Sequence, residues 1–220
     1  MPSHLLPHVQ PLVERSLAER AYFIKSPRWI GYSGAMSMLD KLNELLDRPP
    51  HPRMSGYTIV GPYNNGKTMI VERFVIQNLK KSPSQRAWVV QTGEGAGLAH
   101  FYTSIIRAFK APMKAIRSVH MRGEQLNQLL FSLKPRVLVF DEFHNALRGR
   151  RQDVDAIFSF LRRLGRDYDI SPVLVGDITV RDYINAPSRG DEMASRIEHC
   201  MCRAGNMVMN FSIYWTAWSP

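Results

Sequence analysis

The sequence predicts an α/β fold, a parallel sheet of about five strands flanked by helices and built around a phosphate-binding loop. Three observations predict it. Short apolar runs alternate with amphipathic helical patterns along the chain. One run opens into Gly61-Pro62-Tyr63-Asn64-Asn65-Gly66-Lys67-Thr68, which fits G-x-x-x-x-G-K-[ST]. Another, Val137–Phe140, ends in the carboxylates Asp141 and Glu142. The chain has 220 residues, 45% hydrophobic and 22% charged, which suits one domain with a sizeable core and argues against general disorder. No run of about 18 apolar residues occurs, so no transmembrane helix is expected.

Each element has a local reason. Residues 1–30 read as a polar, partly helical lead-in, with VERSLAERAYFI at helical spacing and Pro27 as its stop. Ser33 is placed to cap a helix over Gly34–Asp47, where Ala35, Met38, Leu39, Leu42, Leu45 and Leu46 form one stripe. A proline-rich break, RPPHPRMSG, precedes the apolar run Tyr57–Gly61, a buried strand. A helix follows the glycine loop from about Lys67 to Leu79. Ala87–Gln91 reads as the second strand, and Leu98–Phe109 and Gly123–Leu133 as helices. Arg136–Phe140 is the third strand, Val154–Arg166 a helix and Pro172–Gly176 the fourth strand. Residues 200–220 show no clear period; the apolar run Met207–Ile213 is the candidate fifth strand.

The two motifs carry one chemistry. Gly61 and Gly66 permit a tight turn whose backbone N–H groups approach phosphate oxygens, and the helix that follows adds its positive end. Pro62, Asn64, Asn65 and Met69 complete the cradle. Lys67 reaches the β- and γ-phosphates, and Thr68 offers its hydroxyl to Mg²⁺. Asp141 holds the same ion, and Glu142 activates the water that attacks the γ-phosphate. The expected cofactors are therefore ATP and Mg²⁺.

Charge and cysteine content narrow the setting. Lys and Arg number 29 against 19 Asp and Glu, a net +10, which points to a polyanionic partner such as nucleic acid. The two cysteines, Cys200 and Cys202, are too close for an easy disulfide and too few for zinc. MPSHLLPHVQPLVERS has prolines and early charges in place of an apolar h-region. Reduced thiols and no leader predict a cytoplasmic protein with no membrane partner.

Four segments together are similar to the TniB/TnsC family of AAA+ ATPases. Arg28-Trp29-Ile30-Gly31-Tyr32 resembles the family's RWIGY lead-in. Gly61–Thr68 with Met69-Ile70-Val71-Glu72 resembles GPTNNGKTMIVE. Asp141-Glu142-Phe143-His144-Asn145 resembles DEIHN, and Ala194-Ser195-Arg196-Ile197-Glu198 resembles ANRFE. The resemblance implies an ATPase that binds double-stranded DNA as a homo-oligomer, a ring or helical filament, and links target DNA to a transposase, often through a TniQ-type adaptor. It places Ile30, Gly31 and Tyr32 at the adenine. It makes Arg196 the finger inserted into a neighbour's ATP site, where a planar guanidinium suits the γ-phosphate. His144 and Asn145 become γ-phosphate or DNA sensors, against a plainer reading as a helix cap and a solvated histidine. Candidate DNA contacts are Lys110, Lys114 and Arg117, and Arg148, Arg150 and Arg151, on loops or helix ends that a ring presents to its channel. The domain reading is a lead-in at 1–30, an AAA+ core at 31–199 and an atypical tail at 200–220.

The chain also departs from that pattern. Where the family has Gly-Thr at the sensor position, it has Gly176-Asp177-Ile178-Thr179. A carboxylate there repels a γ-phosphate, so either Thr179 takes the role or hydrolysis is impaired. The tail HCMCRAGNMVMNFSIYWTAWSP lacks the period of a helical lid and reads as an altered or truncated end, leaving the lid reduced or absent. Three other readings stay open: a helicase-loader-like ATPase, a small-molecule phosphotransferase and a non-hydrolysing nucleotide-gated scaffold.

Overall fold

The computed structural model describes residues 10–25, 29, 31–49, 55–79, 82, 86–93, 95–112, 118–186 and 197–202. The chain divides between Tyr32 and Ser33 into two units, the second running to Arg203. In the first, a single 3-10 turn at Gln10–Leu12 precedes helix α1, Leu17–Lys25. Its start is a capping box: the Glu19 amide donates to Ser16 Oγ (3.3 Å) and the Ser16 amide to Glu19 Oε2 (3.1 Å).

The second unit holds the sheet. Its elements are α2 (Ser33–Asp47), β1 (Gly56–Val60), α3 (Lys67–Asn78), β2 (Ala87–Gln91), α4 (Leu98–Ala108), α5 (Val119–Leu133), β3 (Val137–Asp141), a 3-10 turn (Phe143–Arg148), α6 (Arg151–Asp167), β4 (Ser171–Gly176), α7 (Ile178–Ile184) and β5 (Ile197–Met201). The strand order is β2-β3-β4-β1-β5, and every pairing is parallel. β1, β3 and β4 are buried from end to end, because helices cover both faces of a parallel sheet. The edge strands β2 and β5 keep partly open positions.

All six stripe residues of α2 are buried. On the α4–α6 side, Phe101 stacks on Phe140 with centroids 5.2 Å apart, and Phe143 packs edge-on against Phe101, Phe140 and Phe158. Phe143 is fully buried. It therefore pins the turn that follows the two acidic residues to the core.

Two elements differ from the sequence reading. The observed fifth strand is Ile197–Met201, so β5 runs across the boundary drawn at residue 199; the run Met207–Ile213 lies outside the described residues. Besides its parallel ladder to β1, β5 is held by polar pairs. Thr58 Oγ1 lies 2.7 Å from His199 Nδ1, His199 Nε2 lies 3.0 Å from Asn185 Oδ1, and Lys41 pairs with Glu198. The second difference is α7, which takes in residues read as the sensor position, where no helix was expected. Asp177 caps it, accepting from the Thr179 amide at 3.0 Å.

Candidate nucleotide-binding site

In open α/β sheets ligands sit beyond the carboxyl ends of the strands, and the parallel register aligns those ends here. Val60 lies opposite Gly176 and Gln91 opposite Asp141. The loop after β1, the end of β4 and the end of β3 thus form one rim.

Gly61–Thr68 leaves β1 and enters α3 as a glycine loop. Gly66 sits at φ +76° as the N-cap of α3, a conformation that costs other residues energy, and no side chain caps the helix. The first amides of α3 are thereby left for an anion. Gly61 has a different reason: a Cβ there would stand 2.4 Å from the carbonyl oxygen of Cys202. That carbonyl also accepts from Asn65 Nδ2. In return Cys202 Sγ donates to the Asn65 carbonyl at 3.4 Å, and the Cys202 amide to Val60 at 2.7 Å. The Asn65 side chain thus clasps the chain leaving β5, a role its place in the motif did not reveal.

Lys67 is only 8% exposed, and its ammonium donates to the carbonyls of Gly61 (2.9 Å) and Pro62 (2.6 Å). Thr68 Oγ1 donates to Asp141 Oδ2 at 3.1 Å, and Gln91 Nε2 donates to the same oxygen at 3.2 Å. Asp141 Oδ1 accepts the Glu142 amide at 3.0 Å. Asp141 is 2% exposed. A hydroxyl and a buried carboxylate meeting at 3.1 Å are the hard oxygen donors that suit Mg²⁺. The two residues that the sequence pairs as metal ligands are together in space. Met69 lies exposed in the first turn of α3.

Glu142 takes a left-handed backbone (φ 53°) and is half-exposed. His144 is 7% exposed, not solvated, and its Nε2 lies 3.2 Å from Glu142 Oε2. Asn145 Nδ2 donates to the Thr92 carbonyl at 3.1 Å, which ties the turn to the end of β2.

The sensor residues are arranged otherwise than the sequence suggested. Thr179 donates its amide and its hydroxyl to Asp177 Oδ1. Tyr63, from the glycine loop, donates to Asp177 Oδ2 at 3.2 Å. Burial opposes ionisation of Asp177, yet the two Thr179 donors, His144 and Tyr63 outweigh it and hold its carboxyl below the ordinary value. Asp177 is thus a satisfied helix cap rather than a bare charge, and the Thr179 hydroxyl is committed to it. Asp177→Ala should lower stability by about 1 kcal/mol through loss of this cap. Thermal denaturation checks this, and an unchanged midpoint would show that the cap carries nothing.

The basic candidates fall at different places. Exposed Lys110 follows the C-terminal end of α4. Arg148, Arg150 and Arg151, also exposed, span the turn before α6 and its first residue, and this stretch meets the other end of α4: Gly149 approaches the Gly97 amide, and the Leu98 amide donates to Asp153 Oδ1 at 3.5 Å. Eleven residues of α4, about 16 Å, separate the two. A 380 Å³ cleft beside α4, lined by Gly93, Gly95, His100, Ser104, Arg107 and Arg122, adds cationic groups that the sequence reading did not single out. Lys114, Arg117, Arg196 and Ile30 lie outside the described residues. Gly31 and Tyr32 belong to the first unit.

Comparison with known proteins agrees with this fold. No curated protein matches the chain. Among solved structures it is similar to the Aeropyrum pernix ORC1 protein in complex with DNA (TM-score 0.64, 15% identity, 86% of this chain and 50% of that one). It is also similar to Cdc6p from Pyrobaculum aerophilum (0.55, 18%, 80% and 48%) and to a Walker-type ATPase of Pyrococcus abyssi (0.54, 12%, 83% and 57%). The chain spans about half the length of these proteins, and at such identities the likeness is one of fold, that of the P-loop AAA+ ATPases. The model of the family described as "Bacterial TniB protein" matches residues 20–203. A match over most of the sheet unit, with both acidic and glycine motifs in place, makes this chain a member of the TniB family, built on the AAA+ fold.

Proposed function

We propose that the protein is an ATP-dependent, DNA-binding regulator of transposition that oligomerises on target DNA and recruits or activates a transposase. The observation that carries the nucleotide half is the meeting of Thr68 and Asp141 beside the uncapped start of α3. ATP phosphates fit the free amides there, and Lys67 exchanges two loop carbonyls for the β- and γ-oxygens. Mg²⁺ held by Thr68 and Asp141 would neutralise charge on those phosphates. Glu142 takes a proton from the attacking water as its oxygen bonds to the γ-phosphorus and the bond to the ADP oxygen breaks.

Support for the DNA half comes from the +10 charge, the exposed arginines of the turn before α6 and the TniB family itself. In this reading ATP between neighbours joins their basic surfaces into one track, Arg196 completes the neighbour's site, and hydrolysis releases the assembly. Phosphate contacts of this kind tolerate any sequence. The test is duplex DNA binding with ATP against ADP: tighter, cooperative binding in ATP supports the reading, and equal binding in both overturns it.

A further inference from the structure

His144 is a residue whose surroundings exceed what a structural role needs. It is 93% buried by its 7% exposure, yet one ring nitrogen, Nδ1, has no hydrogen-bond partner. A half-satisfied buried imidazole costs free energy that an apolar side chain would avoid. Its other nitrogen meets Glu142 Oε2 at 3.2 Å. Its ring is edge-on to Tyr63 of the glycine loop, with centroids 5.9 Å apart. Its Nδ1 lies 3.4 Å from where a Cβ on Gly176 would stand, so the end of β4 closes its third side. One buried ring therefore sits among all three parts of the rim: the loop after β1, the end of β4 and the acid after β3.

Glu142 needs such a support. Its backbone is left-handed, its side chain is half-exposed, and among the described residues His144 is the one group paired with its carboxylate. A general base left to rotate in solvent spends little time aimed at one water. The geometry points to His144 as the positioning residue for Glu142: Nε2, 3.2 Å from Oε2, pairs with the carboxylate and limits the directions open to it, while Tyr63 of the glycine loop meets the ring edge-on. His144 itself takes no proton in the reaction. The inference rests on the ATPase reading and deepens it.

The experiment compares His144→Leu, His144→Gln and His144→Asn by steady-state ATP turnover with duplex DNA and by thermal denaturation. Leucine removes the donor but fills the space. Gln places its amide nitrogen where Nε2 stands, whereas Asn can only imitate Nδ1. The expected result is a fall in kcat of about tenfold to a hundredfold for Leu and Asn with KM for ATP little changed, a melting temperature for Leu no lower than the parent's, and recovery of most of kcat in Gln. Parental kcat in His144→Leu overturns the proposal. So does a loss in all three variants that follows a fall in melting temperature, since that is what a packing role gives. If the parent protein itself turns over no ATP, the ATPase reading has failed and this one with it. A turning-over parent with an unaffected Leu variant sinks the positioning role alone.

Discussion

Lys67→Ala is expected to reduce ATP affinity at least about a hundredfold, because each charge-assisted hydrogen bond to phosphate contributes about 1.5–3 kcal/mol and the ammonium makes more than one. Burial raises the stake. Lys67 is 8% exposed, so its contacts are made away from bulk water, where a lost partner is not replaced cheaply. Of the two residues whose carbonyls it holds, Pro62 is exposed and Gly61 buried, and both lie in the loop outside β1. The fold should therefore survive, and a thermal melt checks that it does. Calorimetry with ATP and Mg²⁺ reads the affinity; an unchanged value in a folded variant would remove the glycine loop from the nucleotide site.

Glu142→Gln is expected to separate binding from hydrolysis. Lys67, Thr68 and Asp141 are untouched, and Gln keeps the size and shape of Glu, so ATP and Mg²⁺ should bind as before. An amide cannot take the proton of the attacking water, so turnover should fall about 10²–10⁴-fold. In consequence the ATP-dependent DNA complex should dissociate more slowly than the parent's. Turnover by phosphate release, and dissociation from labelled duplex, read the two effects. Hydrolysis at the parental rate would mean that some other group serves as the base.

Much of the site was legible because its signals are local. A glycine loop between an apolar run and a helical pattern is a short-range signature, and an apolar run ending in two carboxylates is another. The stripe of α2 was legible for the same reason: six apolar residues at helical spacing have one way to be buried together. What escaped depends on distant partners. β5, IEHCM, lacks an apolar run because Thr58, Asn185 and Lys41 satisfy its His199 and Glu198. Asp177 looked like a charge facing a phosphate, whereas Asp followed two residues later by Thr179 is a helix cap, a signal present in the sequence but outweighed by the motif register. His144 carried a plainer reading as solvated beside that of a sensor, because its neighbours Tyr63 and the end of β4 are distant in sequence. Asn65 follows the same logic, since its partner Cys202 lies 137 positions away and no spacing rule connects them.

ATP-gated assembly on DNA is read most directly from the binding isotherm of the protein on a long DNA duplex, at two salt concentrations, with ATP and with ADP. One domain of this size covers few phosphates, so its own affinity should be weak. Neighbours joined through ATP would add their basic surfaces, and each phosphate neutralised adds about 0.9 to the salt slope. A sigmoidal isotherm with a steep salt slope is expected in ATP, and weak, shallow, non-cooperative binding in ADP. Identical hyperbolic isotherms in the two nucleotides would contradict ATP-gated assembly.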